Sequence, residues 1–155
     1  MTTTILIVHG LVAVALLGAI THHALATCAA PNAKPSSFFG RFRAVPAERF
    51  ASAIIVLYLT SALLGAVVYL YFKVDIQPNL ERDRHWHAMG SFDLKEDFIA
   101  IGLGVLPAYW FCWREPVNNG QDHQIRAALT LLLAIIVWWA FLVGHVMNNI
   151  GGFGW

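Results

Sequence analysis

The sequence predicts an all-α membrane protein, a single domain built as a bundle of four transmembrane helices. Three observations predict it. Hydrophobic residues fill 58% of the 155 positions and charged residues only 12%, against roughly 25% charged in soluble domains. The mean hydropathy is +0.61. Apolar runs recur at four places along the chain, and a bilayer core of about 30 Å takes about 20 helical residues. Ten Lys and Arg against nine Asp and Glu leave a net charge of +1. That balance excludes a nucleic-acid binder working through a basic face, and a chain this apolar is not disordered.

The first helix is expected over residues 5–27, a run with no charge and three histidines. Leu25-Ala26-Thr27-Cys28 has the look of a lipoprotein processing site. Nothing basic precedes the apolar run and histidines interrupt it, which reads as an uncleaved helix rather than a signal peptide. The second helix is expected over 47–73. Pro46 suits its first turn, Glu48 and Arg49 mark the interface, and Ser61-x-x-x-Gly65 with Ala62-x-x-x-Ala66 favour tight helix packing.

The third helix is expected over 94–113. Its apolar part, Phe98–Trp113, would be only about 24 Å long. Asp93 and Glu96 have capping-box spacing, which moves the start back to Leu94. Pro107 should kink this helix, and Gly102 with Gly104 should let a neighbour or a planar ligand approach. The fourth helix is expected over 125–149, with Arg126 near its start. Between the second and third lies a hydrophilic loop, 74–93. Tyr109, Trp110 and Trp113 read as an interfacial belt at one end, Tyr69 and Tyr71 at the other.

Six basic residues (Lys34, Arg41, Arg43, Arg49, Arg114 and Arg126) flank the first and third connections, against four around the middle loop. The positive-inside rule then places those two connections in the cytoplasm of a bacterium, with both termini and the middle loop on the periplasmic side of its inner membrane. Cys28 and Cys112 fall near the cytoplasmic face, where thiols stay reduced. No Cys-x-x-Cys pair is present, so covalent c-type haem attachment is excluded. No acid lies in mid-membrane, which argues against an ion-coupled transporter.

Seven histidines are the chemically distinctive residues. His9 and His23 are 14 positions apart on the first helix, about 21 Å along the axis and within about 40° of one face. His145 lies about one turn from the far end of the fourth helix, at nearly the depth of His9. A haem stood on edge between two helices takes one imidazole from each at matching depth, so His9 and His145 are candidate outer ligands. His23 is a candidate for an inner haem. Trp138 and Phe141 share the His145 face and would wall such a pocket. His22 reads as a hydrogen bond to a neighbouring helix, and His123 as interfacial. His85 and His87, in the middle loop, are alternative or additional ligands for copper or zinc.

The His9 and His23 spacing resembles that of the membrane b-type cytochromes, whose haem-bearing helices carry two axial histidines in this way. The resemblance implies bis-histidine b-type haem and electron transfer between a quinone and a partner. The fourth helix departs from that pattern, because the position 14 residues before His145 is Leu131.

The expected function is therefore a membrane electron-transfer subunit carrying one or two b-type haems. It would link the quinone pool to a redox partner as part of a membrane oxidoreductase rather than as a complete enzyme. His87 and Glu96 could relay protons from an oxidised quinol. Two alternatives stand beside it: a cofactor-free accessory subunit of a larger membrane complex, and a copper-handling or assembly protein using His85, His87, His9 and His145.

Overall fold

The computed structural model describes residues 2–28, 48–115 and 120–151, and every regular element among them is helical. α1 covers Thr2–Thr27, α2 Glu48–Tyr71, α3 Gln77–Arg82, α4 Trp86–Arg114 and α5 Gly120–Gly151. A π-helical turn, Phe72–Ile76, joins α2 to α3. Among the described residues three stretches are long and apolar enough to cross a membrane, Thr3–Thr27, Phe50–Arg82 and Gly120–Met147, each with an 18-residue window of mean hydropathy 2.3, 2.3 and 2.4 respectively. α4 has comparable length, 29 residues, but its first turns are polar and dilute its hydropathy. The expected first connection, with Lys34, Arg41, Arg43 and Pro46, lies outside the described residues.

The four long helices form a closed ring. α1 packs against α2 and α5, while α4 packs against α5 and, more lightly, α2. Side-chain pairs fix the directions. His22 lies on Phe50 at the start of α2, with ring centroids 4.6 Å apart, and His9 lies beside Gly65 further along it, so α1 and α2 are antiparallel. Trp138 Nε1 donates to Thr21 Oγ1 at 3.0 Å, tying α5 to α1. Tyr58 Oη donates to the Ile99 carbonyl at 3.1 Å, tying α2 to α4. The centre is apolar and closed, with Ile20, Ile54, Leu133 and Ile136 almost wholly removed from the surface. The outward faces are also apolar: Leu11, Val56, Leu63, Leu70 and Ile135 are all more than half exposed.

The principal departure from the sequence reading is the middle loop. Residues 74–93 are mostly helical, and only Asp83, Arg84 and His85 interrupt the α-helical and π-helical run from α2 into α4. Hydropathy ends a span where polar residues begin, whereas helix formation depends on backbone bonds and local partners. Here Gln77 Nε2 donates to Glu81 at 2.7 Å and Asn79 Nδ2 to the Asp75 carbonyl at 3.1 Å. Pro78 sits in the first turn of α3, where its missing N–H costs nothing. Phe72 and Phe92 stack at 3.9 Å and hold the two arms together. Asp93 therefore does not cap a helix. It lies inside α4, with its carboxylate 3.7 Å from Lys73.

The turn has a definite cause. Arg84 N–H donates to the Glu81 carbonyl and His85 N–H to the Leu80 carbonyl, at 3.1 and 2.9 Å. This is the Schellman arrangement, with Arg84 in the left-handed position that glycine usually takes. Its φ is 58°.

Candidate functional site

The end of the ring where α1 finishes and α2 begins, called here the connection end, holds a buried polar layer. His23 is fully buried (0% exposed). Its Nδ1 shares a 3.0 Å hydrogen bond with the Tyr109 hydroxyl of α4. Its Nε2 has no hydrogen-bond partner. The Trp113 ring meets it edge-on at 4.3 Å between centroids, and Trp113 Nε1 is also unpartnered. Arg126 of α5, only 4% exposed, lies over the Trp113 ring at 5.0 Å and donates to the Glu115 carbonyl. Thr27 Oγ1 donates to the His23 carbonyl at 2.8 Å, closing the last turn of α1.

Buried polar atoms are nearly always hydrogen-bonded, and leaving one unpaired costs about 1–3 kcal/mol. Two unpaired nitrogens on touching rings are thus a chemical feature of this layer. When Nδ1–H donates to the phenol oxygen, Nε2 presents a bare lone pair. That is the tautomer of a metal-ligating histidine, whose other nitrogen is commonly held by a second group.

The other sequence-predicted residues are placed as follows. His9 is half-buried, its ring beside Gly65 of α2, where a Cβ would stand 3.4 Å from His9 Cε1. The small-residue step at Ser61 and Gly65 therefore seats an imidazole. His145 is exposed, its ring parallel to Phe141 on its own helix at 6.3 Å. The two rings stand at the same end of the ring of helices but turn to different neighbours. An outer haem between them requires both to leave those contacts. His22 packs on Phe50, and His123 is exposed.

His85 and His87 come together on the wall of a cavity of about 530 Å³, between the start of α4 and the last turns of α5. Trp139, Leu142 and Val146 form its apolar side. No cluster of three or more His, Cys, Asp or Glu side chains gathers there or elsewhere among the described residues. Glu96 pairs with Lys95 at 2.8 Å. It is nine positions from His87 along α4, about 14 Å, and no hydrogen bond joins them.

Comparison with family models, with curated proteins and with solved structures finds no match. The chain's own geometry carries the reading.

Sequence reasoning missed Tyr109, Trp113, Arg126 and Tyr58 as partners. Tyr109 and Trp113 read as interfacial belt residues, yet Tyr109 is wholly buried on His23. Trp110 is exposed, with the Arg114 guanidinium 5.0 Å from its ring. A signal was available. In an up-down ring α1 and α4 run parallel, His23 is four residues before the end of α1, and Tyr109 is five before the end of α4. Gly102 does admit a planar neighbour, the Tyr58 ring, while Gly104 has open space around it.

Proposed function

We propose that the chain is a four-span membrane subunit for electron transfer, with α4 as the fourth span and His23 as the protein ligand of a b-type haem. The exposed apolar faces of α1, α2 and α5 support membrane insertion, since such surface is unfavourable in water and suited to hydrocarbon. The basic residues near the connection end favour that end as cytoplasmic and the hairpin of α3 and α4 as periplasmic. The observation that carries the haem reading is the His23 imidazole, buried, held at Nδ1 by Tyr109 and unpartnered at Nε2.

A haem at this layer would supply one-electron exchange with the quinone pool and a redox partner. The chain's own residues would orient and tune. Tyr109 fixes the His23 ring and its tautomer. Phe50 walls one side, with its ring centroid 6.3 Å from that of His23. Arg126 contributes a fixed positive charge that favours an added electron. Trp113, with its unpartnered Nε1, is the neighbour that would swing aside. The His22 ring also lies on Phe50, 4.6 Å away between centroids, and we assign His23 alone as the protein ligand in place of the bis-histidine pair expected from spacing.

A second reading has its own support. Ile20, Ile54, Leu133 and Ile136 close the centre of the ring, as in a cofactor-free subunit that contributes packing surface to a larger complex. One experiment separates the two readings. The protein is purified with its native partners, and a dithionite-reduced minus oxidised spectrum is taken with metal analysis. A sharp b-type α-band, shifted by carbon monoxide and abolished in His23→Leu but kept in His145→Ala, supports the haem. A flat spectrum with no bound metal sinks it and leaves the packing subunit. Copper without porphyrin absorbance moves the assignment to His85 and His87.

A further inference from the structure

The cavity beside His85 and His87 does not stop at the hairpin. A second apolar cavity of about 230 Å³ lies along the same seam between α4 and α5, bordered by Phe98 and Ile135, and Trp139 borders both. From Met147 at the upper cavity to Ile135 at the lower is 12 residues of α5, about 18 Å of helix. That is close to the depth of one leaflet's hydrocarbon, about half of 30 Å.

The two ends of the seam differ chemically. The lower cavity has no polar lining residue, while the upper rim carries Arg84, His85 and His87 and no acid. Among the described residues Arg84 forms no salt bridge, and its neighbour Asp83 lies 3.8 Å from Arg82. Arg84 also holds the left-handed slot of the turn, where a non-glycine residue costs about 1–2 kcal/mol. A strained cation at the mouth of an amphipathic seam points to use of its side chain. The first turn of α4, whose leading N–H groups lack intrahelical partners, adds to the positive character of the rim.

We infer that this seam binds one anionic phospholipid of the adjacent leaflet. Its phosphate sits against Arg84, His85 and His87, and an acyl chain runs past Trp139 to Phe98 and Ile135. The headgroup oxygens accept from the guanidinium and the imidazole N–H groups. The seam supplies dispersion contacts along the chain. Neither part depends on the haem reading, and the site lies at the opposite end of the molecule from His23.

The test uses the full-length protein in neutral detergent, titrated with phosphatidylglycerol or phosphatidylcholine, with bound lipid counted by native mass spectrometry. Phosphatidylglycerol should bind at least about fivefold more tightly than phosphatidylcholine, a difference near 1 kcal/mol. Arg84→Gln should reduce it to the phosphatidylcholine level. Val146→Trp, which fills the apolar wall, should weaken both lipids. Circular dichroism confirms that each variant keeps its helices. Equal binding of the two lipids, an unchanged preference in Arg84→Gln, or displacement by millimolar inorganic phosphate would each overturn the assignment. Preferential capture of a short-chain quinone over phosphatidylglycerol would overturn it as well.

Discussion

The connection end and the hairpin end of the bundle use histidine in opposite ways. At the connection end His23 is enclosed by Tyr109, Trp113 and Phe50, with a buried arginine one ring away. At the hairpin end His85, His87 and His145 are exposed, and His9 rests in a shallow seat on α2. The same side chain is thus enclosed at one end and mostly open at the other, where His9 alone is half-buried, its Nδ1 buried and without a hydrogen-bond partner. The difference arises from neighbours rather than from depth. Large aromatics on α4 reach across the ring to His23, while glycine and serine on α2 leave only a step for His9.

The enclosed region should be the harder to alter. Gly102→Ala would place a Cβ in hard overlap with the Tyr58 hydroxyl and 2.7 Å from its Cζ, at a tyrosine that is itself buried and bonded to Ile99. We expect a loss of about 3 kcal/mol, at the upper end of overpacking costs, read as unfolding in mixed micelles. Tyr109→Phe leaves His23 Nδ1 buried without its partner and should lose about 2 kcal/mol. If the hydrogen bond is the cause, the double variant with His23→Leu should recover part of that loss, which a double-mutant cycle measures.

The open end should tolerate change and in one place gain from it. Arg84→Gly relieves the left-handed backbone and should stabilise by about 0.5–1 kcal/mol, while abolishing the phosphatidylglycerol preference. A stabilised variant that keeps the phosphatidylglycerol preference would overturn the lipid assignment. Gly65→Ala is the smallest effect. A Cβ there meets His9 at an ordinary 3.4 Å, so a shift below about 0.5 kcal/mol is expected, and a loss comparable to that of Gly102→Ala would show that the His9 seat is as rigid as the core.

Much of the fold was legible because apolar runs of helix length announce themselves, and three of the four expected spans meet the length and hydropathy needed to cross. The middle segment was not, because its stability is local. The Leu80, Glu81, Arg84 and His85 bonds and the Phe72 and Phe92 stack leave no hydropathy trace. His23 was singled out from its spacing to His9, a relation along one helix. Its actual partner, Tyr109, belongs to a different helix and became visible only once α1 and α4 were set parallel. The lipid seam could not be read from the chain at all, since Phe98, Ile135 and Trp139 are ordinary apolar positions until two helices align them.

The three-residue turn at Asp83–His85 also bears on the order of events during folding. Closing a short loop sacrifices little chain entropy, so α2, α3 and α4 form a hairpin as soon as α4 is made. His23 and Tyr109 are 86 residues apart, and their bond cannot form until that hairpin exists. α1, synthesised before the hairpin, therefore keeps His23 without this partner until α4 is made. The His23–Tyr109 bond thus awaits α4, while the Trp138–Thr21 bond awaits α5, which is made later still.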